Sequence, residues 1–343
     1  MKQCKILYGG LVSLSRELKR EEWRNAKYTI ILDENTFQHC LPELITRVEA
    51  LQEAEFVEVP NGEDCKSLEV ATQVWQTLIE GGADRNSVIV NLGGGSICDL
   101  GGYVAAGYKR GIRHINVPTT LLAMVDAAIG GKTAIDFGGI KNSIGHFYSS
   151  AVTVLEPSLL SSLSAEQITC GHMEMVKTAA VCDPELYQQL TTQQTITADA
   201  IKAVCRLKSR IVAADPYDHS IRRILNFGHT FGHAIEIHSC LPHGNAVGIG
   251  MAAAMYLSTR KTGLDTSVYN TYYQWLAQQV DIPRYTLRDI EHMLPLMRQD
   301  KKNADGELRC VLIQELGAAM IDVPVSDNEV RDTLLKLHSS KAV

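Results

Sequence analysis

The stretch SVIVNLGGGSICDLGGYVAAGY, residues 87–108, decides the fold class. It opens on a largely apolar run, Val88 to Leu92, of the kind that a strand covered on both faces requires. The run ends in Gly93-Gly94-Gly95-Ser96, and a helix is predicted next with Asp99 in its first turn. Glycines at such a junction let a ligand approach the backbone, and the free N–H groups of a helix start attract a pyrophosphate. The spacing is not GxGxxG, so by itself it reads equally as a phosphate cradle or as a tight strand-to-helix turn.

Toward the N-terminus the same alternation continues. Residues 27–32, KYTIIL, read as a buried strand ending at Asp33-Glu34-Asn35, and residues 56–59 as a second strand ending at Pro60. Acidic and amide side chains just past a strand end are where a doubly wound fold binds ribose hydroxyls; ordinary loop chemistry explains Asp33 and Asn35 as well. A helix is predicted from Ser67, with Leu68, Val70, Val74, Trp75 and Leu78 on its apolar face and a Gly-Gly stop. Downstream, residues 114–117 read as a strand, followed by Pro118 and Thr119-Thr120. Asp126, Lys132, Lys141 and Asn142 come next in a glycine-rich context. The run Gly130-Gly131-Lys132-Thr133 has the end of a P-loop, but the first glycine and the preceding strand are misplaced, which excludes an ATPase of that kind.

Near residue 150 the pattern changes. Residues 165–180, 197–213, 221–239, 244–262 and 267–279 carry long helical periodicities, residues 308–325 read as a β-hairpin around Glu315-Leu316-Gly317, and residues 327–338 as a last helix. The predicted architecture is α/β: an N-terminal Rossmann-like α/β domain over residues 1–150, followed by a mainly α-helical domain over residues 151–343. The cleft between them is the expected site.

The helical half contains LNFGHTFGHAIEIHSCLPHGNAVGIGM, residues 225–251, with four of the eleven histidines. His229 and His233 stand four apart, about one helical turn, so both imidazoles face one way. With His243 beyond a Cys-Leu-Pro break they could supply nitrogens to a catalytic Zn²⁺-type site, the remaining ligand being a carboxylate from elsewhere. A lone buried histidine is usually a core residue bonded to a carbonyl, and His238, on another helix face, is assigned to that class.

Composition bounds the rest. Hydrophobic residues make up 45% and charged residues 21%, ordinary for a globular protein, and a net charge of −6 argues against a general binder of nucleic acid or anionic membrane. The N-terminal MKQCKILYGG has no continuous apolar region, and nine scattered cysteines without a CxxC pair suit reduced thiols, so a cytoplasmic protein is expected.

Several blocks then carry a family resemblance. GGGSICDLGGYVAAGYKRG (93–111), PTTLLAMVDAAIGGKTA (118–134), GIKNSIGHFY (139–148), EMVK (174–177), NFGHTFGHAIE (226–236) and HGNAVGIGM (243–251) resemble, in order, the 3-dehydroquinate synthase family of sugar phosphate cyclases; DKKN (300–303) agrees more weakly. The resemblance implies a divalent metal, Zn²⁺ or Co²⁺, held by Glu174, His229 and His243, which moves His233 from the ligands to the substrate contacts. It implies NAD on Gly94, Gly95 and Asp99, with Asp33, Asn35, Glu63, Lys66, Thr119, Thr120, Lys132 and Lys141 around it. Substrate is expected to meet Asp126, Lys132, Lys141, Asn142, Lys177, Lys208, Arg222, Asn226, His233 and one or both of Lys301 and Lys302. Arg110 is expected to reach in from the neighbouring subunit of a homodimer. The chain departs from the family pattern at Cys98, Gln167, Pro216 and Asn245, positions that bear on nucleotide contacts and on the surroundings of His243.

The implied reaction converts 3-deoxy-D-arabino-heptulosonate 7-phosphate to 3-dehydroquinate and phosphate, in the shikimate pathway of aromatic amino-acid biosynthesis. It proceeds by transient oxidation with NAD, phosphate elimination, re-reduction and intramolecular aldol closure. A metal-dependent polyol dehydrogenase would need the metal and NAD but little of the Lys/Arg set. A non-catalytic NAD-binding regulator would not need Glu174, His229 and His243 intact. A sister cyclase would lack a substrate carboxylate for Lys208 and Arg222.

Overall fold

The structure, a computed structural model, describes residues 4–193, 195–298 and 307–337, and the chain divides into two compact units, Met1–Ile168 and Thr169–Val343. Lys301 and Lys302 lie outside the described residues, as does the expected end of the last helix at His338.

In the first unit β1 (Lys5–Leu7) leads into α1 (Gly10–Leu18), and β2 (Tyr28–Leu32) into α2 (Glu34–His39) and α3 (Leu41–Arg47). Strand β3 (Glu55–Glu58) leads into α4 (Leu68–Glu80), and β4 (Val88–Gly93) into α5 (Gly95–Gly107). After β5 (Arg113–Pro118) come a hairpin, β6 (Lys132–Phe137) and β7 (Ile140–Phe147), and the short β8 (Val152–Val154). Six strands form a parallel sheet in the order β1-β8-β5-β4-β2-β3. The chain passes from β2 outward to β3 and then crosses back to β4, so strand order reverses between β2 and β4. The carboxyl ends of the strands at such a switch point form the crevice in which open α/β sheets bind ligands.

Local chemistry explains these elements. Every residue of β4 is buried, as its apolar run demands, and Ile89 shares one core with Val74, Leu78, Leu100 and Val104 from α4 and α5. The Ser67 side chain accepts from Val70 N–H and starts α4. Helix α5 lies close on the sheet because Gly101 has no side chain: a Cβ there would sit 1.7 Å from Asn91 Oδ1. Asp99 falls one turn further into α5 than expected, because the helix begins at Gly95. The hairpin turns at Gly138 and Gly139, with φ of 61° and 75°, as a two-residue turn of that hand requires. The expected break near residue 150 falls before β8, yet the compact unit runs to Ile168, because β8 is hydrogen-bonded between β1 and β5.

The second unit opens within α6 (Ala165–Cys182) and continues through α7 (Pro184–Thr192), α8 (Ala198–Ala214), α9 (His229–Ser239), α10 (His243–Lys261), α11 (Thr266–Gln279) and α12 (Leu287–Arg298). It ends in the antiparallel pair β9 (Leu308–Glu315) and β10 (Ala318–Val325) and in α13 (Asp327–Lys336), whose start is closed by a Ser326/Glu329 capping box. The expected continuous helix over residues 221–239 is interrupted: residues Ile221–Asn226 form a 3₁₀ turn, and α9 begins only after Gly228 at φ 79°. The left-handed backbone at Gly228 breaks the helical run, and packing requires glycine there, since a Cβ would lie 2.8 Å from Met251 N and 3.0 Å from Val247 O. No helix among the described residues is long and apolar enough to cross a membrane.

Helices α9 and α10 are pressed together backbone to backbone. A Cβ on Gly250 would fall 2.1 Å from Gly228 O and 2.6 Å from Gly232 N. Gly→Ala inside an unconstrained helix stabilises by about 1 kcal/mol. Here the overpacking cost of about 1–3 kcal/mol or more should win. Gly250→Ala is therefore expected to lower stability, read as a smaller urea midpoint at unchanged m-value; an unchanged or raised midpoint would refute the close contact.

Candidate active site

In the second unit the site is built on α6, where every residue from Cys170 to Val181 is buried. Glu174 and Lys177, three apart, share one helix face, and each is about 1% exposed. A carboxylate buried there alone would cost several kcal/mol. The Lys177 ammonium contacts Glu174 Oε2. The other oxygen, Oε1, faces His229 Nε2 at 3.7 Å and His243 Nε2 at 3.5 Å. Among the described residues these three side chains form a group whose donor atoms all lie within 4.8 Å of one another. Two imidazoles and one carboxylate make up a ligand set for an open catalytic divalent site, and the residues fit such an ion. The exposed His233, one turn on from His229, packs its ring 5.1 Å from that of His229 and 5.9 Å from that of His243, outside the donor group.

What lies behind the imidazoles differs. His229 Nδ1 faces the carbonyl of Phe227 at 3.3 Å, whereas His243 Nδ1 is 2.8 Å from Glu236 Oε2. Burial works against charge on His243, but hydrogen bonds and charge from Glu174 and Glu236 outweigh it and raise its pKa to about 10. The local field favours positive charge among these donors.

Lys208 on α8 and Arg222 after it are both buried. Arg222 Nη1 donates to Pro216 O at 3.0 Å, and its backbone N–H donates to Asp215 Oδ2 at 3.1 Å. Asp215 also accepts from the N–H groups of His219 and Ser220, at 3.0 and 2.7 Å. One carboxylate thus gathers the loop that carries Arg222. Asn226 Nδ2 donates to Arg223 O at 3.0 Å.

In the first unit Asp33, Asn35, Gly94, Gly95, Thr119 and Thr120, of the expected nucleotide residues, follow the carboxyl ends of β2, β4 and β5. Asp33 caps α2, accepting Thr36 N–H at 2.8 Å, and Asn35 Nδ2 donates to Asn61 Oδ1 at 3.2 Å. Gly94 is the N-cap of α5 and has no side chain to occupy the helix start. Thr119 N–H donates to Gly93 O at 3.0 Å, and Thr120 Oγ1 accepts from Ala123 N–H at 3.1 Å. This bare start of a thirteen-residue helix, flanked by Asp33 at the switch point, fits a dinucleotide pyrophosphate.

Lys66 is the hub of that unit's polar groups. It is 3% exposed, and its Nζ lies 2.9 Å from Asp99 Oδ2, 3.8 Å from Glu63 Oε2 and in contact with Asn142 Oδ1. Burial pushes the Asp99 carboxyl up to about 6 against the pull of Lys66. Burial also works against the Lys66 charge, yet Asp99 and Glu63 carry its pKa above the ordinary lysine value. Ser96 Oγ closes the ring on Glu63. Asn142, at φ 53°, has its N–H held by Asp136 Oδ1 at 2.7 Å. Lys132 and Lys141 stand exposed on the hairpin, and Asp126 lies in the turn Ala123–Ala127. Exposed Arg110 sits in a run of three positive φ angles, Lys109 at 47°, Arg110 at 67° and Gly111 at 107°.

Reading the sequence missed Glu236, Asp215 and Asp136. Glu236 was within reach of the same rule that paired His229 with His233, since seven residues on a helix is two turns. Asp215 and Asp136 act on backbone N–H groups in irregular segments, which no periodicity reports.

The family model described as 3-dehydroquinate synthase N-terminal matches residues 56–170, and that described as 3-dehydroquinate synthase C-terminal matches residues 171–303. A 3-dehydroquinate synthase of Parabacteroides distasonis is 34% identical over 342 residues, covering 96% of this chain and 95% of the relative. Among solved structures, a 2-epi-5-epi-valiolone synthase from Streptomyces hygroscopicus with NAD⁺ and Zn²⁺ bound has a TM-score of 0.83 at 24% identity, covering 99% of this chain and 98% of that one. A 2-deoxy-scyllo-inosose synthase complexed with carbaglucose-6-phosphate, NAD⁺ and Co²⁺ has a TM-score of 0.82 at 23% identity, covering 97% and 96%. These two structures show the fold.

The Asp215 loop yields a pH test. Burial opposes its charge, but the N–H groups of His219, Ser220 and Arg222 hold its carboxyl down from 3.8 to about 2. A folded value below the unfolded one means a stabilising contribution that is complete above the unfolded pKa and is lost as pH falls through the folded one. Asp215→Asn should therefore speed hydrogen exchange at these amides by about tenfold or more at neutral pH. It should also remove the corresponding acid titration from the carboxyl NMR spectrum. Wild-type protection in the variant would mean that something else holds the loop.

Proposed function

The chain belongs to the 3-dehydroquinate synthase family, and from that premise we propose how its residues divide the work of the reaction. The enzyme acts on a small phosphorylated sugar acid, 3-deoxy-D-arabino-heptulosonate 7-phosphate. It forms 3-dehydroquinate and phosphate in the shikimate pathway. The observation that carries the assignment of roles is the buried Glu174, with Oε2 on Lys177 and Oε1 facing the Nε2 atoms of His229 and His243.

A divalent cation, Zn²⁺ or Co²⁺, held by Glu174, His229 and His243 supplies Lewis acidity toward a substrate oxygen. NAD along Gly94 and Gly95 would supply a hydride acceptor. Lys177 leaves Glu174 one oxygen for the cation by occupying the other. Asp33, Asn35, Glu63, Asp99, Thr119 and Thr120 bind and orient the dinucleotide. Lys132, Lys141 and Asn142 take the substrate phosphate, since two ammonium groups and an amide donor match its oxygens. Lys66, in contact with both Asp99 and Asn142, ties the nucleotide end of the sheet to that hairpin. Lys208 and Arg222 hold the substrate carboxylate; Asp126, Asn226 and His233 complete the polar contacts, with Lys302 or Lys301.

A homodimer belongs to the same proposal. It is supported by Arg110 in its strained exposed turn and by four large apolar side chains on one hairpin, Phe137, Ile140, Ile144 and Phe147, all at least 37% exposed. A cytoplasmic location fits the odd, scattered set of nine cysteines.

The direct test is incubation of the purified chain with the heptulosonate phosphate, Zn²⁺ or Co²⁺ and a trace of NAD. Phosphate should accumulate far beyond the enzyme and NAD present while NADH absorbance stays at the level of bound cofactor. Chelation or His229→Ala should abolish turnover. NADH rising in step with product would instead indicate a polyol dehydrogenase.

Substrate choice tests the Lys208/Arg222 assignment. Removing one partner of a desolvated charge pair costs about 2–5 kcal/mol, so Arg222→Ala should lose that much in kcat/KM for the heptulosonate. The wild type should be nearly inert toward sedoheptulose 7-phosphate, which has no carboxylate. Comparable kcat/KM for both sugars would show that the pair does not read a carboxylate.

A further inference from the structure

Helix α9 presents Glu236 two turns beyond His229, on the same face. The chain then breaks at Cys240, with φ of 51°, and restarts at His243, the first residue of α10. This return places His243 Nδ1 2.8 Å from Glu236 Oε2, while Nε2 of the same ring lies 3.5 Å from Glu174 Oε1. The Glu236 side chain is 15% exposed, so the contact is largely shielded from water. Asn245, two residues after His243, carries an amide and no charge. Its Oδ1 receives Cys170 Sγ at 3.8 Å, while Glu236 is the carboxylate on the His243 ring.

We infer that Glu236 is a positioning residue for the divalent ion. Its carboxylate accepts the Nδ1 proton of His243, holds the ring so that Nε2 turns toward Glu174 and His229, and strengthens Nε2 as a donor. An ionised carboxylate only accepts, so the proton of that bond sits on Nδ1 and Nε2 is the atom left for a metal. His229 has a backbone carbonyl behind it instead, at 3.3 Å. The two imidazoles therefore differ in donor strength, and a change at Glu236 acts on one of them alone. The inference rests on the reading that Glu174, His229 and His243 hold the ion.

The test titrates Co²⁺ into the metal-free full-length chain, following both the visible d–d absorption and competition with a chelating indicator. Glu236→Ala should weaken Co²⁺ binding by about 10–100-fold and shift the d–d band. Glu236→Gln, isosteric and uncharged, should weaken it by a smaller factor within that range, and Glu236→Asp should recover part of the loss. Wild-type affinity and spectrum in Glu236→Gln overturn the inference, whether or not Glu236→Ala folds. Wild-type affinity in His229→Ala, or no Co²⁺ binding by the wild type, overturns the ligand set itself and the role of Glu236 with it.

Discussion

A single buried negative charge sets the terms for the second unit. Glu174 lies in a helix segment covered on all sides, where a lone carboxylate would be too costly to keep. Its compensation is divided: Lys177 takes one oxygen, and two imidazoles face the other. That division gathers one carboxylate and two imidazoles whose donor atoms lie within 4.8 Å of one another, the donor set of a group that could hold a metal ion. It also explains why α9 and α10 must come so close. Only glycines at positions 228, 232 and 250 let the two backbones meet at a distance that brings His229 and His243 to the same carboxylate.

The first unit handles buried charge in a different geometry. Lys66 sits among Asp99, Glu63 and Asn142, so one ammonium is shared by groups from α5, the turn before α4 and the β6–β7 hairpin. The strand order places this cluster near the reversal between β2 and β4, where the carboxyl ends of the sheet are open to a ligand. A parallel sheet supplies the rigid frame, and the polar residues sit on the turns that leave it. Charged groups held this way keep their orientation without help from a bound molecule, which lowers the ordering needed when one arrives.

Much of this could be read from the order of residues. Val88 to Leu92, the glycines after it and the helix that follows are a local pattern, and they appear as β4, Gly94 and α5. The helical half was legible in its long periodic segments, except α7 and α12, which the reading did not include. The hairpin of β6 and β7 was not read, although Gly138-Gly139 between apolar residues is a recognised turn signal. The segment over residues 221–239 was read as one helix because its periodicity runs through Gly228, and periodicity is blind to a neighbouring helix that forbids a side chain there.

The sequence by itself determined the alternation of strands and helices in the first unit, the helical character of the second, and the residue types that carry the chemistry. These follow from interactions within a turn or a strand, where the spacing of apolar, glycine and polar residues acts directly on the backbone. Which carboxylate stands behind His243, and which lysine joins Asp99 to Asn142, were decided only by tertiary structure. Those contacts join residues that are distant in the chain, and their distances are set by how closely helices and sheet can pack.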